Sequence, residues 1–350
     1  MKTLLRLLLK SQHQRNRSEP AQIEKGMTLI ELLIGTVMAF LIITPMLAFV
    51  VDMLNTDRRE QVKSNTEQDI QAAVDFIAQD LSQAIYIYDK AGINAISAPI
   101  AFLPANPTGT PILVFWKRQQ IPKSLPINAI KPKECDANPG QCNDTYVLSL
   151  VAYYQIKDTT TNSTWCQPSG GDCPTRIARY EIRDGIKDPL TQQPYANNDD
   201  TKDGQKRDPA FNPRFVLSDP KANVTLQAGL TLATSGATKP EVLVNYIDYS
   251  PLPAAQVPTG LQCQTDLGVT PTPPAGPGAP TFNAGDLLIT DGSTHSFYAC
   301  VDTQKNLARV TIRGNSLRRL QPNYADYDAK KSAFFPTATV QVQGLGARGK

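Results

Sequence analysis

One apolar segment constrains this chain more than any other feature of its sequence. Residues 27–51, MTLIELLIGTVMAFLIITPMLAFVV, carry a single charged side chain, Glu31. As an α-helix the segment would be about 37 Å long, and the hydrocarbon core of a bilayer is about 30 Å thick. The segment is too long for the apolar region of an ordinary secretory signal, and no small-residue cleavage site follows it. The sequence therefore predicts a transmembrane helix.

The distribution of charge predicts how this helix is oriented. Residues 1–26 contain six basic and two acidic side chains, a local charge of +4, whereas the whole chain carries +3. The remaining residues therefore sum to −1. Because basic flanks stay in the cytoplasm, we expect everything after residue 51 to be exported. The nearly neutral exported part lacks the positive charge of a nucleic-acid-binding domain, so we expect no nucleic-acid partner.

Two residues at the start of the apolar segment form a recognisable pattern. In EKGMTLIELLIG, Gly26 immediately precedes the segment and Glu31 is its fifth residue. This pattern resembles the type IV prepilin signal, in which a membrane peptidase cuts after the glycine and the new amino terminus is methylated. The resemblance implies that residues 1–26 are a cleaved leader and that Met27, where the family more often has Phe, becomes the methylated amino terminus.

The resemblance also implies a role for the single charge in the apolar segment. A charged side chain at the centre of a membrane helix costs about 2.5–3.5 kcal/mol on insertion scales, so it needs a proton or a partner. In the family this glutamate contacts the positive amino terminus of a neighbouring subunit, which makes Glu31 an assembly contact here. The alternative is an ordinary signal anchor whose Glu31 is protonated or reaches the membrane surface.

The helix is predicted to continue through residues 52–90. A charged neck extends to residue 69 and is followed by apolar residues spaced three or four apart, which should pack on a sheet. Pro45 lacks a backbone donor, so we expect a kink or a melted turn within the bilayer. The residues of the apolar stripe are Ile70, Val74, Ile77, Leu81, Ile85 and Tyr88.

Short apolar runs separated by polar loops follow the helix. They predict an α+β fold in which the long N-terminal transmembrane helix packs on an antiparallel β-sheet with large loop insertions. This is also the pilin-like architecture that the resemblance implies. We expect residues 91–350 to form one exported globular domain and residues 251–280, with eight prolines, to be an extended insertion within it. The predicted strands are residues 112–116, 146–156, 176–182, 242–249, 286–290, 297–301 and 308–313.

All six cysteines follow the apolar segment, which indicates disulfides in an oxidising compartment. Two pairs share a C-x6-C spacing, so local pairing is our choice among fifteen connectivities. The predicted bonds are Cys135–Cys142, Cys166–Cys173 and Cys263–Cys300. A zinc site is the weaker alternative, because neither C-x2-C spacing nor a nearby histidine is present.

Other motifs predict little chemistry. Residues 197–204 have some features of a calcium loop, but Thr201 stands where a third-position carboxylate belongs and Ala210 where the bidentate glutamate should be, so we interpret the segment as an acidic turn. We expect His295 in a turn or at a strand edge. The arginines of TIRGNSLRRL are Arg313, Arg318 and Arg319; contact with an acidic polymer is one interpretation of this cluster, and solvated arginines at an exposed strand end are the interpretation that we favour. The sequence contains no G-x-S-x-G, Walker A or H-E-x-x-H motif, so we expect neither catalysis nor a cofactor or metal.

Two further segments narrow the resemblance. DFIAQDLSQA is similar to the region after the neck in J-type minor pseudopilins of type II secretion systems. TIRGNSLRRL and the large globular domain of residues 91–350, called the head below, are similar to the corresponding parts of minor pseudopilins of cyanobacterial hormogonium polysaccharide secretion. The resemblance implies a single-pass inner-membrane subunit with a periplasmic head, assembled into a pseudopilus that supports export.

The resemblance also implies partners: prepilin peptidase, major and other minor pseudopilins, the inner-membrane assembly platform, membrane lipid before assembly and, as a further candidate, a polysaccharide. Two alternative functions stay open. The chain could instead be a tip adhesin that binds a surface or polymer through its head, or an uncut, anchored periplasmic enzyme.

Overall fold

The structure is a computed structural model that describes residues 28–97, 103, 109–127, 130–195, 200–202, 205–208, 211, 240–271 and 282–346. The predicted leader, Gly26 and Met27 lie outside these residues, as do most of the predicted acidic turn and residues 272–280 of the proline-rich insertion. The chain divides into two compact units, residues 1–58 and residues 59–350.

The described residues form α-helices, short 3-10 helices and β-strands, and most of the strands follow one another without an α-helix between them. The helices are α1 (Leu29–Ser82), α2 (Lys90–Ser97), α3 (Gly260–Asp266) and α4 (Leu317–Leu320). Short 3-10 helices form at Pro132–Asp136, Pro139–Gln141, Ala254–Gln256, Ala284–Leu287 and Ala329–Phe334. The strands are β1 (Ala84–Ile87), β2 (Gly109–Pro126), β3 (Cys142–Lys157), β4 (Thr175–Arg183), β5 (Glu241–Ile247), β6 (Leu288–Thr290), β7 (Phe297–Asp302), β8 (Leu307–Arg313) and β9 (Thr337–Gln343).

The strands form two antiparallel sheets in the second unit. The larger sheet has the order β1-β2-β3-β4-β5, and the smaller has the order β6-β7-β8-β9. Sequential neighbours pair throughout, and an isolated bridge between Ile247 and Gly314 links the end of β5 to the end of β8. The described residues therefore have an α+β arrangement, as the sequence predicts.

The later turns of α1 lie in the core with both sheets. Ile70, Val74, Ile77 and Leu81 of the predicted stripe are buried in the same cluster as residues of β2–β5 and β7–β8. The central part of β3, from Ser149 to Ile156, is buried at every residue, so both faces of this strand contribute to the core. The helix stripe predicted from spacing is confirmed up to Leu81.

The helix ends earlier than the sequence predicts. Residues 84–87 form β1, which pairs with β2, so Ile85 and Tyr88 do not extend the helical stripe. The run IYIY consists of β-branched and aromatic residues, which pack well on a pleated sheet, and the neighbouring β2 supplies the pairing partner. Tertiary pairing therefore overrides a helical spacing that residues 70–81 do follow.

Two other elements differ from the sequence prediction. Part of the proline-rich insertion folds into α3, which starts at a Thr259 cap and carries Cys263. The strand β9 was not predicted, although TATVQVQ alternates exposed and half-buried residues. Thr or Gln alternates with Ala or Val along this strand, which is the period-two pattern of a half-buried strand, so the sequence carried a signal that the prediction missed. In the fold this strand pairs with β8.

Candidate functional site

The first half of α1 presents an apolar surface that the described residues leave uncovered. Its large apolar side chains between Leu29 and Leu54 are exposed by 49% at Val50 to 86% at Leu29. Leu29, Ile30, Leu32, Leu33 and Ile34 are all exposed, so the surface surrounds the helix. Among the described residues, α1 is the one helix long and apolar enough to cross a membrane. A surface of this kind needs lipid or other apolar helices around it.

The start of α1 is closed by a reciprocal pair of side chains. The Thr28 backbone N–H and hydroxyl each donate to Glu31 Oε2 at 3.1 Å, and the Glu31 N–H donates to Thr28 Oγ1 at 3.4 Å. This is a capping box, which satisfies backbone donors that a helix start leaves free. Glu31, the single acid of the apolar segment, therefore has a hydrogen-bonding partner within its own chain. The spacing T-x-x-E is that of a capping box, so the sequence could have indicated this role.

Pro45 lies inside α1, and the residues on both sides of it are helical. The melted turn that the sequence allowed is therefore not formed, and a kink at this position stays a prediction. Thr44, one residue earlier, donates its hydroxyl to the Phe40 carbonyl at 2.8 Å. The Phe40 carbonyl thus accepts a side-chain hydrogen bond one turn before Pro45, which has no backbone N–H to donate.

A buried ion network joins α1 to the larger sheet. The Asp80 carboxylate accepts from Lys117 Nζ at 2.9 Å, from Arg179 Nε at 2.7 Å and from the Tyr153 hydroxyl at 2.8 Å. Glu181 lies 2.8 Å from Arg179 Nη2 and 3.4 Å from Lys117 Nζ. The network therefore connects one helix to three neighbouring strands. Asp80 follows Ile77 by three residues and so lies on the buried face of the helix. This spacing could have predicted from the sequence that Asp80 is a buried acid.

The network keeps its acids ionised. Burial alone would raise the pKa of Glu181, but the charges of Lys117 and Arg179 outweigh it and hold that pKa at about 2. The pKa of Asp80 is also lowered, because the Arg179 hydrogen bond and the Lys117 charge outweigh burial. Burial and the negative charge of Asp80 raise the pKa of the Tyr153 hydroxyl. We interpret this cluster as a structural clamp.

All six cysteines pair in the combination predicted from their spacing. The bonds are Cys135–Cys142, Cys166–Cys173 and Cys263–Cys300, and no cysteine is free. The last one ties α3 to β7. Among the described residues, no three His, Cys, Asp or Glu side chains come together in an arrangement that could hold a metal ion.

The Cys166–Cys173 loop encloses a fully buried arginine. Arg318 is 0% exposed and donates to the carbonyls of Asp172 at 2.7 Å, Pro168 at 2.9 Å and Gly170 at 2.9 Å. Its Nη2 also lies 3.7 Å from Cys166 Sγ. The planar guanidinium can donate in several directions at once, so one side chain fixes the disulfide loop from inside.

The prediction that Arg313, Arg318 and Arg319 are solvated is wrong. Arg313 is buried and donates to Asp248 Oδ2 at 2.9 Å and to two backbone carbonyls. Arg319 pairs with Asp69 and lies over the Tyr246 ring at 4.6 Å. The carbonyls and acids that contact these arginines come from other parts of the chain, including Asp69 of α1, so local charge patterning could not reveal them.

An open cleft forms where three strands of the larger sheet end. It has a volume of about 350 Å³ and is lined by Thr110, Gln155, Lys157, Thr175, Tyr249, Pro251, Asp291, Ser293 and Thr294. Gln155 is 4% exposed and donates through Nε2 to Thr294 Oγ1 at 2.8 Å and Ser296 Oγ at 3.1 Å. Its Oε1 has no hydrogen-bond partner among the described residues.

The turn beside the cleft is organised by one carboxylate. Asp291 accepts from the backbone N–H groups of Thr294 and His295 and from the Ser293 and Thr294 hydroxyls. These hydrogen bonds outweigh burial and lower the pKa of Asp291. His295 lies in this turn, as predicted, with Nδ1 2.8 Å from Thr290 Oγ1, and burial lowers its pKa.

Comparisons of the chain with protein-family models, with curated proteins and with solved structures found no match. The function is therefore inferred from the chain's own geometry.

Proposed function

We propose that this chain is a non-enzymatic, pilin-like structural subunit, anchored in the inner membrane and assembled into a pseudopilus that supports export. The observation that carries the proposal is the uncovered apolar surface on the first half of α1. The later turns of α1 belong to the core of the second unit. A single helix therefore has an exposed apolar first half and a second half that is part of the core of the head. This combination suits a subunit whose apolar helix moves from lipid into contact with the apolar helices of neighbouring subunits.

The proposal assigns Glu31 two roles. Its carboxylate caps α1 through Thr28, which stabilises the helix start, and it carries the single charge of the apolar segment. In the assembled filament this charge would attract the positive amino terminus of a neighbouring subunit, exposed by cleavage after Gly26. The capping bond and the charge can be separated, because glutamine also completes a capping box.

The first experiment determines the mature amino terminus. The chain purified from membranes of its native host should begin at Met27 with a methylated amine, and the Gly26→Ala variant should keep its leader. Intact-mass and peptide mass spectrometry measure both results. A native chain that retains residues 1–26 would contradict processing and favour a simple membrane anchor.

The second experiment separates assembly from membrane insertion. Glu31→Gln should insert into the membrane like the native chain, because the cap is retained, but should be depleted from sheared filaments. Glu67→Gln, an exposed acid further along α1, is the matched control and should assemble normally. Membrane fractionation and immunoblotting of sheared filaments give the two readouts. Normal assembly of the Glu31→Gln variant would contradict the proposed role of the Glu31 charge in assembly.

A further inference from the structure

We propose that the outer edge of β9 is a docking site at which an extended, uncharged segment of another polypeptide pairs as an additional strand. β9 is the last strand of the smaller sheet and spans seven residues, TATVQVQ. Strand pairing at this edge needs no filament, so failure of the assembly experiment leaves the inference intact.

The backbone groups along one side of β9 have no strand partner among the described residues. The Gly314 N–H donates to the Pro336 carbonyl, and the Gly344 N–H donates to the Asn306 carbonyl, so the even-numbered residues of β9 face β8. Because the direction of N–H and C=O alternates along a strand, these groups of the odd-numbered residues point away from β8. The odd-numbered residues are all exposed, and they are Thr337, Thr339, Gln341 and Gln343. They offer both donors and acceptors to an added strand.

The other outer strands of the two described sheets are protected against such pairing. β1 and β6 span only four and three residues. β5 begins at the charged Glu241, pairs with β4 in an irregular register and is bridged at its end to Gly314. In contrast, β9 has a regular register and contains neither a charge nor a proline. Natural sheets protect their edges with charges, prolines, bulges or short strands, so an unprotected strand of this length indicates an interaction site.

The side chains of β9 specify the chemistry of its partner. Ala338, Val340 and Val342 lie half-buried against the core, and the exposed face carries threonine and glutamine. An added strand would place every second side chain beside the three apolar residues. A charge at such a position would be partly buried without a counter-charge, which costs free energy. The partner segment is therefore uncharged, with apolar side chains at alternate positions.

A second copy of β9 does not fit this edge when both copies are anchored in one membrane. Gly314, opposite the start of β9, packs on Ile70 without room for a side chain, and Gly344, after its end, packs on the Ala84 carbonyl. β9 therefore runs in the same direction as the later turns of α1. A copy paired antiparallel would have its α1 reversed, whereas the α1 helices of anchored copies run in the same direction. This step rests on the proposed membrane anchoring.

A copy paired in parallel is also a poor match. To present the same edge it would have to turn over, because identical edges meet in parallel only when the faces of one sheet are reversed. Its threonine and glutamine side chains would then lie beside Ala338, Val340 and Val342. The occupant is therefore a different segment, supplied by another polypeptide.

The first test uses a peptide as the probe, because a free peptide can run antiparallel to β9. It has the sequence of residues 337–343, blocked termini, a fluorescein label and N-methyl groups at the positions of Ala338 and Val342. These methyl groups prevent self-stacking and leave free the N–H groups that face β9. Fluorescence anisotropy measures binding to the full chain in nanodiscs. The peptide should bind, and moving the methyl groups to the positions of Thr339 and Gln341 should weaken binding by about tenfold, because two facing N–H groups are lost.

Two further measurements locate the bound peptide. A photoreactive leucine at the position of Val340 in the peptide should crosslink to β9, which mass spectrometry maps. In the chain, Gln341→Pro removes an N–H that points away from β8 and should weaken binding by about tenfold. Gln341→Val keeps this N–H and is the matched control, so it should bind like the native chain. Near-UV circular dichroism of both variants separates lost binding from lost folding.

Four results would overturn the proposal. The docking site is wrong if the peptide with methyl groups at the even positions does not bind, or if its crosslinks map away from β9. Equal binding of a peptide with Val340→Glu would refute the assignment of an uncharged partner. The Val340→Cys chain tests self-association, because this residue would face itself in an antiparallel pair of copies. A disulfide-linked dimer of this variant would assign the edge to a second copy instead.

Discussion

The Asp80 carboxylate on α1 accepts a hydrogen bond from Arg179 Nε on β4 at 2.7 Å, across 99 residues of sequence. Both side chains are less than a tenth exposed. This contact, with Lys117 on the other carboxylate oxygen, fixes the rotation of the helix on the sheet through charge as well as apolar packing.

Removal of the Asp80 carboxylate should strongly destabilise the head. Asp80→Ala leaves Lys117 and Arg179 buried with less compensating charge, and breaking a buried ion pair in this way costs about 3–5 kcal/mol. Urea unfolding followed by tryptophan fluorescence measures the change, since Trp116 is a buried residue of β2 in this sheet. Asp75→Ala, which removes an exposed acid of the same helix, should change the free energy of unfolding by about 0.5 kcal/mol or less. Similar effects of the two substitutions would refute the clamp.

Glu181 should make the head sensitive to acid. Its pKa is about 2 in the folded chain and 4.5 as its ordinary value, so between these pH values the unfolded chain binds more protons at this site. The stabilisation is therefore present above pH 4.5 and lost as the pH falls towards 2. The whole effect corresponds to roughly 3 kcal/mol.

The Glu181→Gln variant isolates this contribution. Its deficit in unfolding free energy relative to the native chain should be largest at neutral pH and should nearly vanish near pH 2, because the native carboxyl is then becoming neutral. Urea titrations across this range measure the deficit. Glu67→Gln, an exposed acid, should show a small deficit at every pH. A deficit for Glu181→Gln that is constant with pH would contradict the assignment.

Arg318 should be irreplaceable by lysine. Arg318→Lys keeps the positive charge but cannot donate to the three loop carbonyls in the same planar geometry, so we expect a loss of about 2–4 kcal/mol in unfolding free energy. The Cys166–Cys173 loop should also be cut faster by a protease, which peptide mass spectrometry detects. Arg309→Lys, at a half-exposed arginine on β8, should match the native chain in both measurements. Equal protection of the loop in Arg318→Lys would show that the disulfide alone orders it.

Gly344 permits a close approach between the end of β9 and the start of β1. A Cβ atom at this residue would lie 2.3 Å from the Ala84 carbonyl oxygen and 2.4 Å from Asn306 Nδ2. Gly344→Ala should therefore destabilise the head by about 1–3 kcal/mol, because backbone must shift. Gly140→Ala has no atom within 4 Å of the added Cβ and serves as the control. Thermal unfolding by circular dichroism compares the two, and equal midpoints would contradict the close approach.

The sequence by itself determined the features that depend on local pattern. The apolar segment, the buried helical stripe from Ile70 to Leu81, most strands and the local disulfide pairs follow from composition, period and spacing. The α+β class follows from the order of these elements. Each of these features depends on residues that are close together in the chain.

Only the tertiary structure decided which polar groups meet. The partners of Arg318 are about 150 residues away in sequence, and those of Asp80 are 37 to 99 residues away. A charged residue in a polar stretch has the same local pattern whether it is solvated or buried, so the predicted solvation of Arg318 failed. The helix end at Ser82 was likewise decided by β2, which offers β1 a pairing partner that local periodicity does not encode.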